Sequence, residues 1–394
     1  MNILFDQTEA QAYFYNGAAE YAQTVFLKLV SMLGEYPDVN IFSLYSSERK
    51  FRYEQLSCEN LAKYERVTCV DYKGKSLKQI IAENNIDLLF ITCAQAFCDL
   101  PLGNLENLGC KVVTVIHDFL DEEMGYSRMQ TFKYMETPAK LLRFYLSRLK
   151  VRLLSGNLKD RRRVMLDMLE GNDADIITVS EYSRNSLHYN YPQLKNTSHV
   201  FFSPLKTVTQ PSGMIDNDIL RGLAENGTRY LLLLSADRVL KNAKSMLRAF
   251  RKFCSAVETD LRIVTVGYGR KEYPEHISLP FLSSSDLEHA YRHCHALLYP
   301  SLFEGFGYPP LEAMKYGKPV ICSNVCSMPE VLGDSAVYFS PIYETDMYRA
   351  LNKFTATPYK DLQDKALAQY EKVAGKQNAD LAELSDMLLS GKFL

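Results

Sequence analysis

No run of this chain is apolar and long enough to span a bilayer, and its opening, MNILFDQTEA, lacks the charged-then-apolar layout of a secretory signal. These absences predict a cytoplasmic protein without a membrane-spanning helix. An excess of charge of either sign is also missing. Forty-five Lys and Arg against 47 Asp and Glu leave a formal net charge of −2, which argues against bulk electrostatic binding to nucleic acid. Nine cysteines include no CxxC pair, and no paired Cys or His spacing supports a zinc site. Most lie in apolar runs such as LLFITCA and PVICS, where cysteine acts as a small buried hydrophobe, so the compartment reads as reducing. Sequence repeats and low-complexity segments are absent as well.

What is present is the composition of a soluble globular protein, 47% hydrophobic and 23% charged over 394 residues, too many for one ordinary core. Short β-branched runs alternate with amphipathic stretches, the pattern of βαβ units and a parallel sheet. The first half offers NILFD, VNIFSLY, RVTCVDY, IDLLFIT, KVVTVIHD, ADIITVS and SHVFFSP as strands. The second half restarts with RYLLLLSA, LRIVTVG, HALLYPS, PVICS and SAVYFSP. The polar, turn-rich segment between the halves predicts a linker at 211–228, separating a Rossmann-like domain 1–210 from a second at 229–358. Residues 359–394 read as a helical segment returning to the first domain. The fold class is thus α/β, doubly wound, with ligands expected at the carboxyl ends of the strands.

The segment SLFEGFGYPPLEAMKYGKPV, residues 301–320, joins two of these strands with glycines, prolines and two acids. Gly305 and Gly307 permit a sharp turn that brings backbone N–H groups close to a ligand. Pro309 and Pro310 suit a first helical turn, and Gly317 before Pro319 suits its end. Glu304 falls in the loop, and Glu312 is expected in the opening turn of the helix. Taken singly each glutamate has an ordinary structural reading, Glu312 as a complement to the helix dipole.

Taken together, residues 300–341, PSLFEGFGYPPLEAMKYGKPVICSNVCSMPEVLGDSAVYFSP, resemble the donor-site region of glycosyltransferase family 4. That resemblance implies a GT-B architecture, two Rossmann-like domains facing a cleft, and a retaining reaction on a nucleotide sugar. It implies that Glu304 contacts hydroxyls of the donor sugar and Glu312 holds the ribose. Backbone amides around Gly305, Phe306 and Gly307 would approach the sugar and phosphates. A carboxylate pair on a glycine loop can grip both ends of such a ligand.

Further segments follow the same family. In YLLLLSADRVLKNAKSMLRAF, residues 230–250, Lys241 is expected at the pyrophosphate, with Arg238 either beside it or a plain surface arginine. The G-x-G of LRIVTVGYGR places Gly267 and Gly269 beside the nucleotide, and Arg270 reads as surface. In VTVIHDFL, His117 is expected at the donor sugar and Asp118 as its orienting group or on the acceptor side. NGAAEY resembles the family's glycine loop, with Asn16 in place of one glycine, and Gly17 is the residue carried over as backbone near the diphosphate or acceptor. Glu20 has a helix-start reading, and SEYSRNSL reads as a helix capped by Ser180. The D-x-D in NDADI suggests a metal-bound nucleotide, but it directly precedes a buried strand; the resemblance implies no essential metal and no cofactor besides the donor.

The stretch Lys140–Arg163 carries nine Lys and Arg against one Asp, with clustered leucines in its first half. It reads either as a solvated helix or as a peripheral contact with the inner face of a membrane, where relatives meet lipid-linked acceptors. The function implied is transfer of a sugar to a hydroxyl of a glycan, lipid-linked or other acceptor. A non-catalytic partner of the same fold, or a nucleotide-sugar epimerase, is the alternative.

Overall fold

Runs of Val, Ile and Leu with no polar alternation can be satisfied only where both faces of a strand are covered, and that is where this chain puts them. The computed structural model describes residues 1–11, 17–124, 156–206 and 215–394. Its contacts divide the chain into two compact units, Met1–Thr207 with Lys376–Leu394, and Val208–Gly375.

Unit 1 contains strands β1 (Asn2–Asp6), β2 (Asn40–Tyr45), β3 (Val67–Asp71), β4 (Leu88–Ile91), β5 (Lys111–Ile116), β6 (Asp175–Thr178) and β7 (Ser198–Val200). They form one sheet in the order β3-β2-β1-β4-β5-β6-β7, every pair parallel. Phe5 of β1 packs on Phe26 of the helix Gly17–Met32 at 5.1 Å between ring centroids and on Phe90 of β4 at 5.2 Å.

Unit 2 contains β8 (Tyr230–Leu233), β9 (Arg262–Val266), β10 (His276–Leu279), β11 (Ala296–Tyr299), β12 (Val320–Ser323) and β13 (Val337–Phe339). Their order, β10-β9-β8-β11-β12-β13, is again wholly parallel. Every residue of β8, β11 and β12 is buried. Helices Ala243–Ala256 and Glu344–Ala356 bring Phe250, Phe253, Met347, Leu351 and Phe354 into one core on this sheet.

Both sheets reverse direction of winding in the middle, between β1 and β4 and between β8 and β11. The reversal splays the two following loops apart at the carboxyl edge, and such switch points are where open α/β sheets bind ligands. The twelve strands read from the sequence all form. β10, HISL, was not among them, because four residues with two polar ones carry no strand signature at a sheet edge. The segment read as a linker, 211–228, holds the helix Asp218–Glu225, N-capped by Asn217.

The last helix, Tyr359–Ser390, begins in unit 2, where Gln369 Nε2 donates to the Val331 carbonyl at 2.7 Å. Its final turns group with unit 1: Asp380 accepts the Phe202 N–H at 2.7 Å, and Gln377 donates to the Ser203 carbonyl.

Candidate active site

At the switch point of unit 2, the loop after β8 carries Lys241 and the loop after β11 carries Glu304. Their side chains meet: the Lys241 ammonium donates to Glu304 Oε1. It also donates to the Tyr299 hydroxyl at 2.9 Å and lies 4.6 Å from the centre of that ring. Tyr299, the last residue of β11, hydrogen-bonds Glu304 in turn, and burial followed by the Glu304 charge pushes its phenol far above the usual range. Ser301 donates its hydroxyl to Glu304 Oε1, and Ser327 donates to the Glu304 carbonyl at 3.1 Å. Lysine and glutamate are only 13% and 15% exposed, so the pair is shielded but not sealed from solvent. Neither Tyr299 nor the serines were picked from sequence; the "LLYPS" run that ends β11 was the available signal.

Behind Lys241, Asn242 adopts the left-handed conformation (φ 51°, ψ 30°) and donates its amide to the Pro341 carbonyl at 2.9 Å. Its side chain therefore does not cap the 14-residue helix Ala243–Ala256 that it opens. That leaves the first-turn N–H groups of a long helix at the carboxyl edge of β8, an electropositive end suited to anions.

Glu312 sits elsewhere than expected. Gly307, at φ 90° and ψ 70°, is the N-cap of the helix Tyr308–Met314, so the helix starts at Tyr308 and Glu312 falls in its second turn. It does not complement the dipole. Its Oε2 accepts the Tyr291 hydroxyl at 2.6 Å, from the neighbouring helix Ser284–His293. Tyr291 is buried, and burial together with the Glu312 charge drives its phenol well above its ordinary value. A side chain at Gly307 would place its Cβ 2.2 Å from Met328 Cε, and the positive φ disfavours any other residue. Phe306, 5% exposed, packs edge-on against Tyr308 at 5.6 Å, and Gly305 links it to Glu304.

The other donor-side candidates lie on the same carboxyl edge. Gly267, at φ 87°, closes β9, and a Cβ there would lie 3.1 Å from Asp237 Oδ1 and 3.2 Å from the Phe281 ring. Gly269 is also at positive φ but has open space around it. Arg238 is exposed, and its guanidinium has no partner among the described residues. Arg270 is exposed and paired with Glu272 at 2.8 Å.

Unit 1 places His117 directly after β5. Its Nε2 lies 2.9 Å from the Thr92 carbonyl, and the Tyr21 ring meets it edge-on at 5.1 Å. Burial pulls its pKa down to about 4, so the ring is neutral at pH 7. Asp118 follows His117 in the chain. Its Oδ1 accepts the Leu120 N–H at 3.1 Å, the ordinary bond of an aspartate opening a turn. Gly17 begins the helix Gly17–Met32, and Glu20 in its first turn is buried and accepts the Tyr53 hydroxyl. Ser180 caps the helix Glu181–Asn190 through the Ser183 N–H at 3.1 Å.

The D-x-D of NDADI lies at the amino end of β6, away from the ligand edge. Asp175 pairs with Lys111 at 3.2 Å, and the Asp173 carbonyl accepts the same ammonium at 3.0 Å. Of the basic stretch, residues 140–155 lie outside the described residues. Arg162 and Arg163, in the helix Gly156–Gly171, pair with Glu122 at 3.3 Å and Asp167 at 3.5 Å. Among the described residues no helix is long and apolar enough to cross a membrane.

Residues 216–370, the segment holding Lys241, Glu304 and Glu312, match the family "glycosyl transferases group 1". The matched segment spans most of unit 2. The chain is similar to mannosyltransferases: it is 31% identical to O-antigen chain mannosyltransferase B of Escherichia coli over 204 residues, 46% of this chain and 52% of that one. It is 35% identical over 146 residues to the serotype-specific mannosyltransferase WbdA of Escherichia coli, 36% of this chain and 18% of that protein. The chain thus spans about half the length of the first relative and under a fifth of the second. The fold extends over the whole chain: Anabaena Alr3699/HepE, solved in complex with UDP and glucose, aligns with a TM-score of 0.63 at 14% identity, covering 99% of this chain and 100% of that one. With two parallel Rossmann-like sheets, the fold is the GT-B fold.

Proposed function

We propose that the protein is a retaining glycosyltransferase, moving a sugar from a nucleoside-diphosphate sugar to a hydroxyl of a glycan or lipid-linked acceptor in polysaccharide biosynthesis. The observation that carries this is the pairing of Lys241 with Glu304 at the unit 2 switch point, inside the group 1 domain. A lysine supplies charge for a diphosphate, and a carboxylate held by two hydroxyls and an ammonium is an acceptor for sugar hydroxyls. The names of the similar relatives support mannose as the sugar.

In the reaction, the glycosidic bond to the diphosphate breaks through an oxocarbenium-like state, and charge gathers on the leaving group. Lys241 and the amides opening the helix Ala243–Ala256 stabilise that charge, with the exposed Arg238 able to swing toward it. Glu304 positions the sugar. Glu312, fixed by Tyr291, holds the ribose; Gly267 and the backbone of Gly305, Phe306 and Gly307 approach the nucleotide. From unit 1, His117 contacts the sugar, Gly17 lies near the diphosphate or acceptor, and Asp118 is on the acceptor side. Because Lys241 and the helix end already supply positive charge, we propose no essential metal and no further cofactor. A cytoplasmic site of action, with peripheral contact to the membrane through 140–163, fits a lipid-linked acceptor.

Product analysis tests this reading. Nuclear magnetic resonance of the product formed from α-linked sugar nucleotides in EDTA should show an α-linked glycoside and a free nucleoside diphosphate. Conversion of the donor with no acceptor present would indicate an epimerase, and no turnover of any donor would remove the enzymatic reading.

A further inference from the structure

We propose that the acceptor carries a phosphate group, and that the loop after β2 binds it through Arg49, Lys50 and Arg52. The substrate class rests on the glycosyltransferase reading; the binding site rests on unit 1 alone. The loop, residues 46–57, follows the strand that pairs with β1, so it leaves the sheet at the carboxyl edge where ligands bind.

This loop is tied down along its length. The buried Gln11 donates to the Ser46 and Arg49 carbonyls at 2.9 Å each and accepts the Ser46 N–H at 2.9 Å. The Arg52 N–H donates to the Ala10 carbonyl at 3.1 Å, and the Phe51 ring stacks on Tyr45 at 5.8 Å. Tyr53 donates its hydroxyl to the buried Glu20, in the first turn of the helix that Gly17 opens. The loop is thus held against the start of that helix.

The neighbouring acids are already engaged. Glu48 pairs with Lys73 at 2.8 Å, and Asp71 accepts the Ser47 and Lys73 N–H groups at 3.2 and 3.1 Å. Glu54 is the one other acid of the segment. Arg49, Lys50 and Arg52 are exposed, and neither Arg49 nor Lys50 forms an ion pair among the described residues. Fixing three cations within four positions raises their mutual repulsion, which a shared anion relieves. Guanidinium forks match phosphate oxygens two at a time, and the ammonium adds a point charge. The donor's own diphosphate is assigned above to Lys241, so the anion recognised here belongs to the acceptor. A lipid diphosphate and a sugar phosphate both present that group.

Arginine side-chain ¹H–¹⁵N spectra of the full chain, assigned with Arg49→Gln and Arg52→Gln, read binding without turnover. Titration with geranyl diphosphate and with glucose 6-phosphate should shift the Arg49 and Arg52 Nε signals saturably. The double variant Arg49→Gln/Lys50→Gln should weaken the Arg52 response about ten- to a hundredfold. Tighter binding of geranyl diphosphate makes a lipid carrier the source of the phosphate; equal binding makes it a phosphorylated glycan. No shift with either probe, or shifts that the double variant leaves unchanged, overturns the proposal. Shifts with phosphatidylglycerol vesicles alone would make the loop a membrane contact and overturn it as well. In kinetics, each sugar is offered both as an octyl glycoside and as its octyl diphosphate ester. The diphosphate should have a KM about ten- to a hundredfold lower, and Arg49→Gln/Lys50→Gln should remove that gap. Equal KM values in wild type overturn the acceptor role. If no acceptor is glycosylated, the glycosyltransferase reading fails, while the spectra still decide whether the loop binds phosphate.

Discussion

The ammonium of Lys241 rests on the carboxylate of Glu304, 63 residues away in sequence and one loop away at the switch point between β8 and β11. Each side chain neutralises the other, which avoids leaving a shielded charge uncompensated. A sugar diphosphate offers a replacement partner to both, phosphate oxygens to the lysine and hydroxyls to the glutamate. On the proposed reading, the donor would replace each side chain's partner in the pair.

Removing either partner should act on different steps. Lys241→Ala is expected to cost about 2–4 kcal/mol of transition-state stabilisation, the scale of losing one preorganised donor. Glu304→Ala should depress turnover severely and leave nucleotide affinity nearly intact. Steady-state kinetics beside calorimetric binding separates the two; a Glu304→Ala enzyme that loses nucleotide and keeps kcat contradicts the assignment.

Tyr291→Phe should mimic a mild Glu312→Ala. The phenol is the group that orients Glu312 Oε2, so its loss should weaken nucleoside-diphosphate binding by about tenfold, near one charge-assisted hydrogen bond. Turnover at saturating donor should change little. Full affinity in both variants would show that Glu312 does not hold the ribose.

Stability should fall on mild acidification. His117, His276 and His295 are each held to about 4, mainly by burial, against an ordinary value of 6.5. His276 shows how: its Nδ1 accepts the Glu272 N–H at 3.1 Å and its Nε2 lies 2.8 Å from the Thr265 hydroxyl. A depressed folded pKa means that the unfolded chain binds protons first. The contribution is therefore complete above about pH 6.5 and is lost as pH falls toward 4, at up to about 1.4 kcal/mol per pH unit for each histidine. Urea denaturation at pH 7, 6 and 5 checks this, and a midpoint that does not move would contradict it.

Gly307→Ala should be costly for two reasons. Alanine is strained at φ 90°, by roughly 1–3 kcal/mol, and its Cβ requires Met328 to move. Loss of unfolding free energy in that range, with reduced turnover, is expected. A fully active and equally stable variant would mean that the loop tolerates another conformation.

The strands of both sheets were legible because a parallel strand covered on both faces must be apolar throughout, and twelve such runs stand out between polar turns. β10 was not, since HISL packs its histidine against Thr265 at an edge and shows no apolar run. The candidate site is proposed from sequence as a set of residues, and its arrangement is what the structure adds. Glu304, Glu312 and Lys241 stand in motifs that sequence displays. The bonds from Tyr299 and Ser301 to Glu304, and from Tyr291 to Glu312, join side chains that only the strand order and helix packing bring together. The contact of His117 Nε2 with the Thr92 carbonyl is of the same kind, since the parallel pairing of β4 with β5 is what brings the two residues together.

The central claim, that the unit 2 switch point holds a nucleoside diphosphate through Lys241, is tested most directly by calorimetric titration with UDP, GDP, ADP and dTDP in EDTA. One of the four should bind to wild type at a single site, and Lys241→Ala should weaken that binding by at least about tenfold. Binding of none of them to wild type, or equal binding to Lys241→Ala, would contradict the account.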